Sequence, residues 1–188
     1  MTTTVEKTTW TDAEFMQLPR DGHNYELVDG DLVDMGNSGM EHGGMGSFLG
    51  GLLAIHVRQH QLGIVCDSST AFTLKDGNKR TPDVSFVARD RLKGLKRPPR
   101  GYFQGSPDLV VEILSPNNTI AEIHTKITEY FENGTCLLWV IHPDEKYVLV
   151  YSGPEPDRLL RPQDQLSGEA VVPGFTVPVA ELFEEWDF

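Results

Sequence analysis

Cysteine is scarce in this chain of 188 residues, which contains only Cys66 and Cys136. Two cysteines exclude a framework of several disulfides, and their spacing is not the Cys-x-x-Cys pattern of structural zinc sites. Because both lie inside apolar, strand-like segments, we expect two buried thiols without a chemical role.

Basic residues and long apolar runs are also scarce. The chain has 16 Lys and Arg against 28 Asp and Glu, a formal net charge of -12. Since phosphate affinity comes largely from Lys and Arg, this balance argues against a protein that simply coats nucleic acid. No run approaches the roughly 18 apolar residues of a membrane span, and the first residues do not resemble a secretory leader. We therefore expect a soluble, cytoplasmic protein with no membrane segment.

The length and the 39% hydrophobic content suit one domain with one core. We expect a single domain over residues 1–188, with an ordered core at about 10–184. No repeat or low-complexity segment divides the chain, and helix-like and strand-like periodicities alternate along it. This alternation predicts an α/β domain built on a mixed sheet flanked by helices.

Periodicity and turn residues predict the individual elements. A short helix is expected over 10–18, with Thr11 and Glu14 as its capping box and Pro19 at its end. Asp29-Gly30 predicts a tight hairpin turn within residues 25–35. Long helices are predicted over 42–60 and 119–133, strands at 63–68, 71–74, 82–88 and 107–114, an antiparallel hairpin from 135–141 and 147–151, and a short strand near 158–161.

Two carboxylates fall within predicted buried strands. Glu112 interrupts PDLVVEIL, the most apolar short run of the chain, and an uncompensated carboxylate there would cost several kcal/mol. Asp83 follows Pro82 at the start of another strand. If the two strands are neighbours in register, these side chains lie about 5 Å apart and can share a divalent cation. Asp108 lies roughly 13 Å from Glu112 along the same strand, so we expect it to be structural.

Other candidate residues leave alternatives open. Lys126 lies beside the apolar stripe of the 119–133 helix, so its stem can run along the core, although most helical lysines are simply solvated. His56 and His60 have the spacing of a zinc pair, but the chain has no HExxH glutamate beside them and no evident third ligand. We expect no metal role for this pair.

Six of the sixteen basic residues fall within positions 89–100. This segment follows the strand that begins at Asp83, and it is either a solvated loop or a phosphate-binding loop. Its basic residues are Arg89, Arg91, Lys93, Lys96, Arg97 and Arg100.

The ordered set of motifs resembles a known family. YELVDG, His42 at a helix start, RTPDVSFVARDRL, SPDLVVEILSPNN, Lys126 with Tyr130, and VPGFTVPVAELF follow one another at family spacings over about residues 11–183. The pattern is similar to the Uma family of "putative restriction endonucleases" in the PD-(D/E)XK nuclease superfamily. The resemblance implies a restriction-endonuclease-like core with an N-terminal hairpin extension.

The resemblance also implies a site. In it, Asp83 and Glu112 bind magnesium and a lysine assists the nucleophile. The chain has Leu114 where the superfamily has that lysine, and the family pattern transfers the role to Lys126. Glu26 and His42 match further family positions, the first as a tentative metal ligand and the second as an additional site residue.

The function that we expect is hydrolysis of DNA phosphodiester bonds by a magnesium-dependent endonuclease, with Mn²⁺ able to substitute. Asp83, Glu112 and the Ile113 carbonyl would hold the ion, Lys126 would orient the attacking water, and a homodimer would cut both strands. The alternative is a non-catalytic nucleic-acid-binding or protein-interaction domain with the same fold. A small-molecule enzyme has less support, because the chain has no Gly-rich phosphate loop and no Ser or Cys triad motif.

Overall fold

The computed structural model describes residues 10–18, 23–116 and 118–184. Pro19, which we expected to end the first helix, lies outside these residues. Helix α1 spans Asp12–Phe15 and begins with the predicted capping box, in which the Thr11 side chain and the Glu14 side chain each bind the other residue's backbone N–H. The first helix is therefore present but shorter than its sequence pattern suggested.

The N-terminal hairpin forms as predicted. Strands β1 (Asn24–Val28) and β2 (Asp31–Gly36) pair antiparallel through the turn at Asp29-Gly30. Both turn residues have positive φ, 51° and 89°, as this type of tight turn requires. The hairpin places Glu26 in the buried middle of β1.

The remaining elements follow in chain order. They are α2 (Met40–Gln59), β3 (Gly63–Asp67), β4 (Phe72–Thr73), β5 (Lys79–Arg80), β6 (Val84–Ala88), β7 (Phe103–Gln104), β8 (Leu109–Ile113), α3 (Ile120–Glu132), β9 (Leu137–His142), β10 (Tyr147–Tyr151), β11 (Pro156–Leu160), β12 (Gln165–Ser167), β13 (Thr176–Pro178) and α4 (Val179–Leu182). Both long predicted helices and all the predicted strands are present. The short elements β5, β7, β12, β13 and α4 were not predicted.

The central sheet is mixed and six-stranded, in the order β11-β10-β9-β8-β6-β3. β8 and β9 are parallel, whereas β6 is antiparallel to both β8 and β3. Helix α2 packs against the face that carries Val84, Phe86 and Val111, and α3 packs against the face that carries Val110. The expected α/β architecture, a mixed central sheet flanked by helices, is confirmed.

The N-terminal hairpin belongs to a second sheet rather than standing apart as an extension. This five-stranded sheet has the order β2-β1-β5-β4-β7, and β1 joins it through the pair Leu27 and Lys79. Lys79 is almost fully buried and its ammonium binds the Asp12 carboxylate of α1 at 2.6 Å. The second sheet thus fixes β1, and with it Glu26, which binds Lys126 of the helix over residues 120–132.

The two cysteines are less buried than expected. Cys66 is half-buried and Cys136 is exposed, so the prediction of two buried thiols is wrong for Cys136, which precedes β9 instead of lying inside it.

Among the described helices, none is both long and apolar enough to cross a membrane.

Candidate metal centre

Strands β6 and β8 bring Asp83 and Glu112 to the same end of the central sheet. In their antiparallel register Val84 faces Val111, so Asp83, one residue before β6, comes opposite Glu112, the penultimate residue of β8. Asp83 lies in a bend just ahead of the strand that we expected it to open. Residues that face each other in this way have side chains about 5 Å apart.

Asp83 is held by the end of β8 and by helix α2. Its Oδ2 accepts a hydrogen bond from the Ile113 N–H at 2.7 Å and lies 3.3 Å from His42 Nε2. The same His42 nitrogen is 2.9 Å from the Ile113 carbonyl oxygen. The hydrogen bond with Asp83 is the main reason why the pKa of His42 is raised, despite its partial burial. His42 Nε2 therefore lies close to both the Asp83 carboxylate oxygen and the Ile113 carbonyl oxygen.

Glu112 is a nearly inaccessible carboxylate, with 6% of the residue exposed. Its Oε1 accepts a hydrogen bond from the Tyr130 hydroxyl at 2.8 Å, and its Oε2 lies 3.8 Å from Lys126 Nζ. Burial, together with the nearby charges of Asp83 and Glu26, raises the pKa of Glu112 to about 7, although Lys126 and Tyr130 oppose this rise. Glu112 is thus a carboxylate on which a proton and a cation would compete near neutral pH.

Lys126 is buried on α3 with its stem in the core, and its ammonium binds Glu26 Oε1 at 2.9 Å. Burial alone would lower the pKa of Lys126, but the Glu112 and Glu26 carboxylates outweigh it and raise that pKa. Lys126 is therefore a cation held close to Glu112 and more tightly to Glu26.

Glu26 is paired on both of its oxygens. Oε1 accepts from Lys126 and from the Thr81 N–H at 3.1 Å, and Oε2 accepts from Arg80 at 2.8 Å. Arg80 also binds Glu129 at 2.6 Å. Burial would raise the pKa of Glu26, but Lys126 and Arg80 outweigh it and lower that pKa. The tentative metal ligand is therefore a carboxylate already paired with two cations.

Two groups of the site escaped the sequence analysis. Arg80 completes the alternating chain of buried charges that runs from Glu112 through Lys126 and Glu26 to Glu129. Tyr130 was identified only as a position of the family motif, with no role of its own, whereas its hydroxyl orients Glu112. Arginine is rarely buried unless it is paired, so the residue type alone predicts an exposed position for Arg80. The position of Arg80 just before Thr81-Pro82-Asp83 was the one available signal.

The donor set suits a hard divalent cation. Within the described part of the chain, no group of three His, Cys, Asp or Glu side chains is arranged to hold an ion. Asp83 and Glu112 nevertheless offer carboxylate oxygens beside the Ile113 carbonyl, and oxygen donors of these two kinds are preferred by Mg²⁺ and Mn²⁺. The Oε2 atom of Glu112 lies 3.8 Å from the Lys126 ammonium, which is beyond hydrogen-bond distance. These residues therefore fit such an ion with water completing its coordination.

The basic segment of residues 89–100 begins at the other end of β6. Asp83 precedes the strand and Arg89 follows it, which separates them by about 20 Å in an extended chain. Arg91 donates to the Ser106 carbonyl and lies 3.4 Å from the Asp108 carboxylate, and Lys93 pairs with Asp90 at 2.9 Å. The start of this segment is therefore distant from Asp83, although the two are close in sequence. The contacts of Arg91 are with neighbouring residues of the domain.

Asp108 and His56 have structural contacts. Asp108 accepts a hydrogen bond from the Ala88 N–H at 2.8 Å, which agrees with its expected place at the strand entrance. His56 Nε2 lies 2.9 Å from the Pro173 carbonyl, and its ring stacks on His60 with 4.2 Å between centroids. One nitrogen of His56 thus joins α2 to the loop before β13.

Comparisons with known proteins find similarity over most of the chain. A family model, Uma2, described as "Putative restriction endonuclease", matches residues 12–180. No curated protein matches the chain. Among solved structures, a "putative nuclease belonging to DUF820" from Anabaena variabilis ATCC 29413 matches with a TM-score of 0.78 and 22% identity, covering 93% of this chain and 98% of the other. At this identity the structural match shows a shared fold.

Proposed function

The chain belongs to the Uma2 family of restriction-endonuclease-like proteins, and from that premise we propose that it is a metal-dependent endonuclease that hydrolyses DNA phosphodiester bonds. The proposed site consists of Asp83 and Glu112 as metal ligands and Lys126 as the cation that assists the reaction. Mg²⁺ is the expected ion, and Mn²⁺ the expected substitute.

The facing positions of Asp83 and Glu112 carry the proposal. Both side chains come from neighbouring strands at one end of the sheet, and the Ile113 carbonyl lies beside them. A fold rarely buries a carboxylate such as Glu112 at a cost of several kcal/mol unless the charge is used or compensated. A divalent cation supplies that compensation, because it favours the ionised form.

The protein's own residues would each perform one task. Asp83, Glu112 and the Ile113 carbonyl would hold the ion, which when bound supplies Lewis-acid stabilisation of charge on the phosphoryl oxygens. Lys126 would offset negative charge that develops on the phosphate and orient the attacking water. Because its pKa is raised, Lys126 acts as a cation and not as a general base at neutral pH.

Three further residues would position these groups. Tyr130 fixes one oxygen of Glu112, and His42 bridges Asp83 and the Ile113 carbonyl. Glu26, already paired with two cations, would hold Lys126 in place, and this role replaces the tentative one of metal ligand. One such site cuts one strand, so a homodimer is needed to cut both strands of a duplex together.

An activity assay with matched variants tests the proposal. The full chain is incubated with Mg²⁺ or Mn²⁺ and supercoiled, linear and branched DNA, with RNA as a comparison. We expect DNA cleavage that Asp83→Asn and Glu112→Gln each reduce at least about 100-fold, and that EDTA abolishes. Glu132→Gln, which changes an exposed carboxylate on the same helix as Lys126, is the matched control.

A non-catalytic nucleic-acid-binding or protein-interaction domain is the second candidate. The tight pair between Lys126 and Glu26 and the net charge of -12 favour it, since a lysine held by another carboxylate is less available to a phosphate. Intact DNA and RNA under all the conditions above, with metal binding preserved, would support this second function over the first.

A further inference from the structure

A groove leads away from the candidate metal centre along helix α2. Its near end is lined by His42 and Asp83, and its walls are one side of α2 and the edge strand β3. This part has a volume of about 710 Å³. It adjoins a second cavity of about 510 Å³, because Ala54 and Val65 line both. The far end of the second cavity carries Arg58 and Arg89.

The groove is long enough for several nucleotides. His42 and Arg58 are sixteen positions apart on the same helix, which corresponds to about 24 Å at 1.5 Å per residue. One strand of a nucleic acid helix advances by about 3.4 Å per nucleotide, so roughly seven nucleotides span this distance. A ligand that reaches from the metal centre to Arg58 is therefore an extended chain and not a small molecule.

Between His42 and Val57, helix α2 faces the groove with small residues. Gly43, Ser47, Gly51 and Ala54 line the groove there. A Cβ at Gly43 or Gly51 would meet no atom within 4 Å, so packing within the chain does not demand glycine at either position. Glycine weakens a helix interior relative to alanine, and these positions keep it although the fold has room for a side chain. The glycines of α2 therefore keep the groove open, although they lower the helix propensity of this segment.

The charges of the groove are arranged for a phosphodiester chain. Arg58 and Arg89 are exposed at the far end, and arginine is well suited to bind phosphate oxygens in pairs. Asp67 is the opposing charge on the β3 wall, and its Oδ1 accepts hydrogen bonds from the Ser69 backbone and hydroxyl. The near end carries Asp83, one of the proposed ligands of the cation that would neutralise a phosphate.

We propose that this groove holds one nucleic acid strand beside the bond to be cleaved, with Arg58 and Arg89 binding its backbone about seven nucleotides from the metal centre. The inference rests on the proposed function, because it takes the metal centre as the cleavage point. It gives the basic segment a narrower role, in which Arg89 is the described basic residue of that segment that lines the substrate path. It also predicts that affinity depends on the length of the substrate.

Binding of fluorescein-labelled oligodeoxynucleotides to the full chain tests the groove without cleavage. Lengths of 4, 8 and 12 nucleotides are compared by fluorescence anisotropy in EDTA and in Ca²⁺. Kd is expected to fall at least tenfold from 4 to 8 nucleotides and little from 8 to 12. Equal Kd values for the three lengths, or no binding at any length, would overturn the proposal.

A charge series at Gly51 tests the position of the strand. Gly51→Glu, Gly51→Gln and Gly51→Lys introduce side chains of similar reach at a point where a Cβ has free space. The Kd of Gly51→Glu for the 8-nucleotide probe is expected to exceed that of Gly51→Lys at least tenfold, with Gly51→Gln between them. A common Kd for the three variants would place the strand elsewhere. Circular dichroism and urea denaturation show whether each variant is folded.

The arginine end has its own test and control. Arg58→Ala is expected to weaken binding and to reduce the salt slope of log K by about 0.7 to 0.9, the value for one phosphate contact. Arg161→Ala removes the same charge near β11, at the opposite edge of the central sheet, and should leave both quantities unchanged. An equal loss of affinity in the two variants would show only a general effect of charge and would contradict strand binding in the groove.

A small diester separates this inference from the proposed function. Bis(p-nitrophenyl) phosphate reaches the metal centre but is too short to reach Arg58. Its Mn²⁺-dependent hydrolysis could require Asp83 while the Gly51 and Arg58 variants bind oligonucleotides like the parent. That combination would refute strand binding in the groove and support the proposed nuclease site.

Discussion

Replacement of Glu112 by glutamine is predicted to stabilise the metal-free protein at neutral and basic pH. The carboxyl is buried and its pKa in the folded protein is about 7, above the ordinary value of 4.5. A proton therefore favours the folded state, and the corresponding stability is complete below pH 4.5 and is lost as the pH rises through 7. The rise in pKa corresponds to a loss on the order of 3 kcal/mol in the free energy of unfolding.

Urea denaturation of the parent and of Glu112→Gln in EDTA, at intervals from pH 4.5 to 8.5, measures this effect. The free energy of unfolding of the variant minus that of the parent should increase by about 3 kcal/mol over this range, since most other titrations occur in both proteins. Glutamine keeps the shape of the side chain and can still accept the Tyr130 hydrogen bond.

A matched exposed variant controls for the general change of charge. Glu132→Gln should show a difference from the parent that stays constant with pH within the error of the extrapolation, about 10–15%. If the Glu112→Gln difference is equally flat, the Glu112 carboxyl titrates as an ordinary exposed group, and the electrostatic description of the site is refuted.

Three further changes test other parts of the site and fold. Glu26→Gln should lower the free energy of unfolding by about 3–5 kcal/mol in urea denaturation, because it leaves Lys126 and Arg80 without a shared buried partner; a loss below 1 kcal/mol would contradict this. Lys126→Met should reduce kcat about 100-fold or more while the Kd for Mn²⁺, measured by calorimetry, changes less than about tenfold; equal losses would assign Lys126 to metal binding instead. Gly44→Ala should raise the free energy of unfolding by about 0.5–1 kcal/mol, because its Cβ would meet open space in α2; a lower stability would show an unrecognised requirement for glycine.

The parts of the fold that the sequence predicted are those with a strong local signal. Apolar periodicity located α2 and α3, and Asp29-Gly30 located the first hairpin with its positive φ angles. Glu112 lies on the sheet face that α3 covers, and the observed register brings Asp83 opposite it, as expected for neighbouring strands. These predictions depend on short stretches of chain whose pattern the tertiary structure did not override.

The assembly of the second sheet could not be predicted, because two of its strands carry too little periodicity. β5 and β7 have two residues each and show no alternation of their own. Lys79 and Arg80 are buried cations whose partners are more than 45 positions away in sequence. Sequence alone does not show a charge pair between such distant residues, so the buried network behind Lys126 was missed.

The basic segment begins farther from Asp83 than their closeness in sequence suggests. Residues 89–100 follow the strand that Asp83 precedes, but an extended strand separates its two ends instead of bringing them together. The candidate site is at one end of β6, and Arg89 follows the other end. The groove along α2 runs from Asp83 at one end to Arg89 at the other.

Anomalous diffraction from crystals soaked in Mn²⁺ tests the central claim most directly. We predict one strong peak bound by Asp83, Glu112 and the Ile113 carbonyl, at metal–oxygen distances of about 2.0–2.3 Å. The peak should vanish in Asp83→Asn and persist in Glu132→Gln. An absent peak in the parent, or a peak bound only by other residues such as His56 and His60, would contradict the assignment of this site as the metal centre.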